Sequence, residues 1–262
     1  MVTVRDVHFA YNGAPVLRGV SLDIPRGSLV GILGPNGSGK TTLLRLLAGS
    51  LTPQSGAIEL DGTAIGALPR AALARRIAVV PQDTHLAFDY TALEIVLMGR
   101  YPHLGAFEVE GPRDLRLARA ALEVTGTAHV SARLFDTLSG GEKQRVVIAS
   151  ALAQLSRDHG EAGQAFQIDS NALLLLDEPT ASLDLRYQLD VAAVLARLRN
   201  QGLTIVLSTH DLRLAASLST AVVLLGRGLV LGSGAPRDAL TADAIASLYE
   251  IGVDVAAPLV PA

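Results

Sequence analysis

Apolar and polar residues alternate through VTVRDVHF, residues 2–9, and again through VSLDIPRGSLVGIL, residues 20–33. This is the period-two pattern of strands with one buried face. Turn residues interrupt it at Asn12-Gly13 and Pro25-Arg26-Gly27, so a small antiparallel layer is expected here. SGAIELDGTAI, 55–65, reads as a hairpin pair. Between these strand patterns TTLLRLLAG, 41–49, has helical apolar spacing and stops at Gly49, where a glycine just past a helix end belongs. From about Thr91 to Leu155 the spacing is helical, in TALEIVLMGR, RDLRLARAALEVTG and GEKQRVVIASALAQL, broken by a Pro/Gly/His-rich stretch at Tyr101–Gly111. Beyond it NALLLLDEP, GLTIVLSTHD and TAVVLLGRG are short β-rich runs alternating with helices such as YQLDVAAVLARLRNQ, the layout of a parallel sheet.

The expected fold class is therefore α/β: a mostly parallel sheet, an antiparallel β subdomain, and an α-helical subdomain inserted at about residues 86–155 of a domain spanning 1–240. Ser156–Ser170 is polar and expected as a surface loop, and residues 241–262, ending APLVPA, as a C-terminal helix and tail.

Composition changes this picture little. The chain has 262 residues, 49% hydrophobic and 18% charged, enough to bury an ample core. A formal charge of −3 without any basic block argues against nucleic acid as a partner. Zero cysteines exclude disulfides and thiolate metal sites, and MVTVRDVHFA lacks the charged-then-apolar layout of a signal peptide, so a cytoplasmic location is expected. Mean hydropathy is high, +0.37. Yet the most apolar runs fall short of the roughly 20 residues that cross a bilayer and suit strands buried on both faces.

Gly34-Pro35-Asn36-Gly37-Ser38-Gly39-Lys40-Thr41 satisfies G-x-x-x-x-G-K-[ST] between a strand and a helix, the setting in which that loop holds phosphates. Its glycines let backbone N–H groups converge on an anion, and the helix N-terminus adds its dipole. Lys40 would reach the β- and γ-phosphates of ATP, Thr41 would place its hydroxyl on Mg²⁺, and Thr42 continues the site. LLLLDEP ends a buried strand on Asp177, a Mg²⁺ ligand by position, followed by Glu178, placed to activate water for attack on the γ-phosphate.

With LSGGEKQR, Leu138–Arg145, the chain resembles the nucleotide-binding subunit of ATP-binding cassette (ABC) proteins over nearly its whole length, and so a P-loop NTPase with a RecA-like core is implied. Leu138, Ser139, Gly140, Gly141 and Glu142 match that family's signature motif. Physically they open a helix with a hydroxyl, backbone amides and a dipole, a second anion site; taken alone, SGGE is also an ordinary helix N-cap. The resemblance implies that this site closes on ATP held by a second copy, in a head-to-tail homodimer. It further implies that Tyr11 stacks on adenine, that Gln82 senses Mg²⁺ and the γ-phosphate, that Ser182-Leu183-Asp184 crosses the dimer interface, and that His210 is the switch histidine. Three of these have a plainer alternative: packing for Tyr11, a polar residue after a strand for Gln82, an N-cap for the 182–184 turn.

LAFDYTALEIV and MGRYPHLGAF, together 86–107, resemble the permease-contacting region of importers of ferric siderophores, haem and cobalamin. The long Ser156–Ser170 loop resembles some haem and cobalamin importer subunits, leaning away from siderophores. The resemblance implies an ATP- and Mg²⁺-dependent ATPase on the cytoplasmic face of the inner membrane, working with permease subunits and indirectly a substrate-binding protein. Exporter and non-transport ABC ATPases are the alternatives; the first fits the 98–107 region poorly, and the second usually carries two cassettes, a coiled-coil insert or basic extensions.

Overall fold

Asn12 and Gly13 both take left-handed backbone angles, φ 48° and 83°, as a tight hairpin turn demands. They join β1 (Val2–Tyr11) to β2 (Ala14–Ile24) in this computed structural model, which describes residues 1–84, 87–157, 166–181 and 183–261. In chain order there follow β3 (Leu29–Leu33), α1 (Lys40–Leu47), β4 (Ser55–Leu60), β5 (Thr63–Ala64), α2 (Arg70–Ala74), β6 (Ile77–Val80), α3 (Ala92–Met98), α4 (Pro112–Val124) and α5 (Gly140–Leu155). Then come β7 (Ser156–Arg157), β8 (Gln167–Ile168), β9 (Leu173–Asp177), α6 (Leu185–Asn200), β10 (Thr204–Thr209), α7 (Leu212–Leu218), β11 (Ala221–Gly226) and β12 (Leu229–Gly234). Three short helices end the chain: α8 (Pro236–Ala239), α9 (Ala242–Tyr249) and α10 (Val253–Ala256). No helix of the described residues is long and apolar enough to cross a membrane.

The chain divides into two compact units. The first comprises Met1–Leu68, Leu175–Glu178 and the chain from Thr204 onward. Its antiparallel layer has the order β2-β1-β4-β5, and its main sheet runs β12-β11-β3-β10 with the end of β9 next to β10. β3 pairs in parallel with β10, Ile205 opposite Leu29 through Thr209 opposite Leu33, and with β11, so the strands finish level at their carboxyl ends. β3, β10 and the end of β9 are buried along their whole length, which is why they read as unbroken apolar runs instead of alternating ones. Leu33, Ala215, Val222, Leu224, Leu240 and Leu248 form a core on which α9 lies.

The second unit comprises Pro69–Leu174 and Pro179–Leu203; the insertion expected at about 86–155 lies within its first segment. Thr91 caps α3 through a reciprocal box, its N–H donating to Glu94 at 2.7 Å, as T-x-x-E before an apolar run demands. Arg100, 1% exposed, pairs with Asp114 at the start of α4 (3.0 Å) and donates to the carbonyls of Ala153 (2.6 Å) and Ser156 (3.1 Å). One buried guanidinium thus ties the ends of three helices, with its charge compensated as burial requires. Nearby His103 donates a ring N–H to the Gln154 carbonyl at 2.7 Å, and burial pushes its ring below the ordinary value. The expected surface loop at 156–170 is different at its ends: Ser156–Arg157 pairs antiparallel with Gln167–Ile168. Ser156 is fully buried because its hydroxyl and carbonyl accept from Arg100. The middle of that segment, 158–165, lies outside the described residues.

Candidate functional site

In the first unit, the glycine loop joins β3 to α1 at the carboxyl edge of the sheet, the edge where open parallel sheets bind ligands. Gly39 sits at the helix N-cap with φ 106°, open to glycine and strained for other residues. A Cβ on Gly34 would collide with the Leu225 carbonyl, so the loop is pressed against β11. Asn36 and Gly37 at the tip are exposed, Pro35 and Thr41 are half-buried, and Thr42 faces inward. Ser38 is buried, and its Oγ has no hydrogen-bond partner among the described residues. A buried unpaired hydroxyl beside free first-turn N–H groups is unused bonding capacity of the kind an anion satisfies, and so the loop fits a phosphate ligand.

Lys40, 5% exposed, donates to the carbonyls of Gly34 (2.9 Å) and Pro35 (3.2 Å) and pairs with Glu178 Oε1 at 3.1 Å. All three ammonium hydrogens have acceptors, and the buried charge has a counter-ion. Glu178 Oε2 lies 3.0 Å from His210 Nδ1, so this carboxylate bridges the loop lysine and the histidine. Glu178 follows β9 with φ 45°, a left-handed angle that an L-residue holds only when its surroundings fix it. Its N–H donates to both the carbonyl (3.1 Å) and the hydroxyl (3.0 Å) of Ser208 on β10. That hydroxyl in turn donates to Asp177 Oδ1 at 2.6 Å. Asp177 and Thr41 together offer hard oxygen donors, the set Mg²⁺ prefers.

Sequence reasoning passed over Ser208 although LSTHD contains it. The available signal was a small polar residue directly after the apolar run Ile205–Leu207 of β10. Tyr11 ends β1, 40% exposed and edge-to-face on Phe9 with centroids 4.9 Å apart, leaving much of its ring open.

In the second unit, Ser139 caps α5: its Oγ accepts from the Glu142 N–H (3.3 Å), and its N–H and hydroxyl both donate to Glu142 Oε2 at 2.9 Å. These bonds, the Ser139 N–H first, hold the Glu142 carboxyl below its ordinary value. The hydroxyl expected to serve an anion is therefore engaged in the cap, as is the Glu142 amide, while the amides of Gly140 and Gly141 stay available. Leu138 is buried, and Gly141 packs on α6, where a Cβ would stand 2.7 Å from the Tyr187 Cβ. Gln82 is exposed just after β6. Asp184 occupies the N-cap of α6 without a side-chain capping bond, and Leu183 lies against Gly140. Ser182 lies outside the described residues.

A family profile described as "ABC transporter" matches residues 17–157. The hemin import ATP-binding protein HmuV of Rhodopseudomonas palustris is 40% identical over 94% of this chain and 87% of its own length. The cobalamin import ATP-binding protein BtuD of Halobacterium salinarum is 40% identical over 97% of this chain and 59% of its own. Among solved structures, an ABC transporter assigned to the metal-chelate type, in an inward-facing conformation, superposes with TM-score 0.78 at 31% identity, over 94% of this chain and 88% of that one. A dimeric bacterial ABC transporter cassette superposes with TM-score 0.73 at 27% identity, over 90% of this chain and 99% of the other.

Proposed function

The chain belongs to the ABC transporter ATP-binding family, and from that premise we propose that it is the ATP-hydrolysing subunit of an importer for a metal chelate of the haem or cobalamin class. The observation that carries this reading is Glu178 held between Lys40 and His210, one residue beyond Asp177. The names of the relatives supply the direction of transport and the cargo class.

The chemistry follows from those positions. Backbone amides of Gly34–Thr41 and the Lys40 ammonium take the β- and γ-phosphates of ATP, and Tyr11 stacks on adenine. Bound phosphates compete for Lys40, which releases Glu178 Oε1 to accept a proton from the water attacking the γ-phosphorus. His210 keeps the other oxygen of Glu178 fixed and faces the γ-phosphate. Thr41 and Asp177 would hold Mg²⁺, which when bound would offset the charge building on the phosphate oxygens. Leu138–Glu142 of a second copy completes the site, with Ser182–Asp184 at the same interface, in a head-to-tail homodimer. Residues 1–240 form the cassette and 241–262 a C-terminal appendage. The subunit acts peripherally on the cytoplasmic face of the membrane, against permease subunits fed by a substrate-binding protein.

Glu178→Gln tests the assignment: ATP binding should persist while hydrolysis falls by about 10²–10⁴, the usual contribution of a general base. A variant that hydrolyses at the wild-type rate rejects Glu178. Stimulation of the assembled transporter by haem-, cobalamin- or ferric-siderophore-loaded binding protein then assigns the cargo.

A further inference from the structure

Tyr249 ends α9, 39 residues beyond His210, and its hydroxyl donates to the His210 backbone carbonyl at 3.2 Å. The ring is half-buried against the cluster of Ile245, Ala246 and Ala256, which fixes where the hydroxyl points. The end of α9 is tied down separately. Glu250 turns left-handed, Ile251 N–H closes on the Ala246 carbonyl at 3.1 Å, and the Glu250 carboxylate pairs with Arg227 at 2.6 Å. Arg227 sits in the β11–β12 turn, and the next residue, Gly228, donates its N–H to the Ser38 carbonyl of the glycine loop at 3.1 Å. One short helix therefore connects the back of the phosphate loop to the backbone of His210. On the other side of that peptide, Asp211 is held as the cap of α7, accepting from Leu214 N–H at 3.0 Å.

We propose that Tyr249 is a positioning residue for hydrolysis: its hydroxyl anchors the His210 carbonyl and so holds the imidazole against Glu178. This rests on the reading of Glu178 and His210 given above. Burial, with the Asp211 and Glu178 charges nearby, pushes the phenol above its ordinary value and keeps it a proton donor. The His210 side chain is about half exposed, and Glu178 is the side chain it bonds. Without the anchor its ring is free to leave Glu178, whereas the glycine loop is untouched and ATP binds as before.

Tyr249→Phe keeps the ring and removes only the hydroxyl. Single-turnover hydrolysis of γ-labelled ATP by the full-length chain should slow about three- to tenfold, the range of one hydrogen bond, with ATP affinity and thermal midpoint unchanged. In a His210→Ala background the same substitution should cause no further loss, because the group it positions is gone. Three results overturn the proposal: a rate within 1.5-fold of wild type, taken as roughly the error of such rates; an equal loss in the His210→Ala background; or a loss matched by weaker ATP binding and a lower midpoint, which marks a merely structural role. If His210→Ala alone hydrolyses normally, the reading of His210 fails instead, and Tyr249 with it.

Discussion

Ser208→Ala isolates one bond in the site. Ser208 is fully buried, and its Oγ does two things: it donates to Asp177 Oδ1 at 2.6 Å and accepts from Glu178 N–H at 3.0 Å. The second bond is duplicated, since the same N–H also reaches the Ser208 carbonyl at 3.1 Å, so alanine leaves no orphan donor there. The first bond is not replaced. Asp177, 7% exposed, would be left with one fewer donor. A hydrogen bond to a charged group is worth about 1.5–3 kcal/mol. If that is lost wholly from the transition state, the rate falls about 10- to 150-fold, since each 1.36 kcal/mol is tenfold. Steady-state ATPase at saturating ATP, repeated across a Mg²⁺ titration, reads both consequences: a lower kcat and a higher Mg²⁺ half-saturation. The main-chain pairing of Ser208 opposite Ile32 is untouched, so the sheet should survive. A variant with kcat within about twofold of wild type and the same Mg²⁺ dependence would refute the claim that Ser208 orients Asp177.

Gly141→Ala drives a methyl into the base of Tyr187 on α6 and should cost about 1–3 kcal/mol, lowering the thermal midpoint by roughly 2–12 °C. The Gly141→Ala/Tyr187→Ala pair should lose less than the sum of the single losses. Glu142→Ala removes a carboxylate whose folded value lies below the ordinary 4.5, so the stability it supplies is present above about pH 4.5 and lost as pH falls through the folded value. Urea unfolding should show a gap of about 0.5–2 kcal/mol from wild type at pH 7 that shrinks on acidification; a gap constant with pH would contradict the capping role.

Much of the phosphate loop was legible because it is contiguous: eight residues, Gly34–Thr41, carry the turn, the amides and the lysine, and their placement between strand and helix follows from the apolar runs on either side. The capping box at Ser139 was legible for the same reason, closing over three residues. The role of the Ser139 hydroxyl was less so, since the same four letters describe a cap and an anion site, and only coordinates assign its bonds to Glu142. Asp184 read as an ordinary N-cap alternative, yet its side chain makes no capping bond. Ser156 looked like loop because its burial depends on Arg100, 56 residues earlier in the chain.

The sequence alone determined the local chemistry: the loop, the acidic pair after an apolar strand, the signature helix start and the alternation of strand and helix patterns. Those features are set by backbone geometry over a few residues, and composition and spacing record them directly. The tertiary structure decided which groups meet. Parallel register aligns Leu33 with Thr209, so the ends of β3, β9 and β10 come level and bring Lys40, Glu178 and His210 together although 170 residues separate the first from the last. Ser208 and Tyr249 enter the site by the same long-range pairing, through bonds spanning 31 and 39 residues. Such contacts depend on strand order and helix packing, which a linear pattern of apolar and polar positions does not encode.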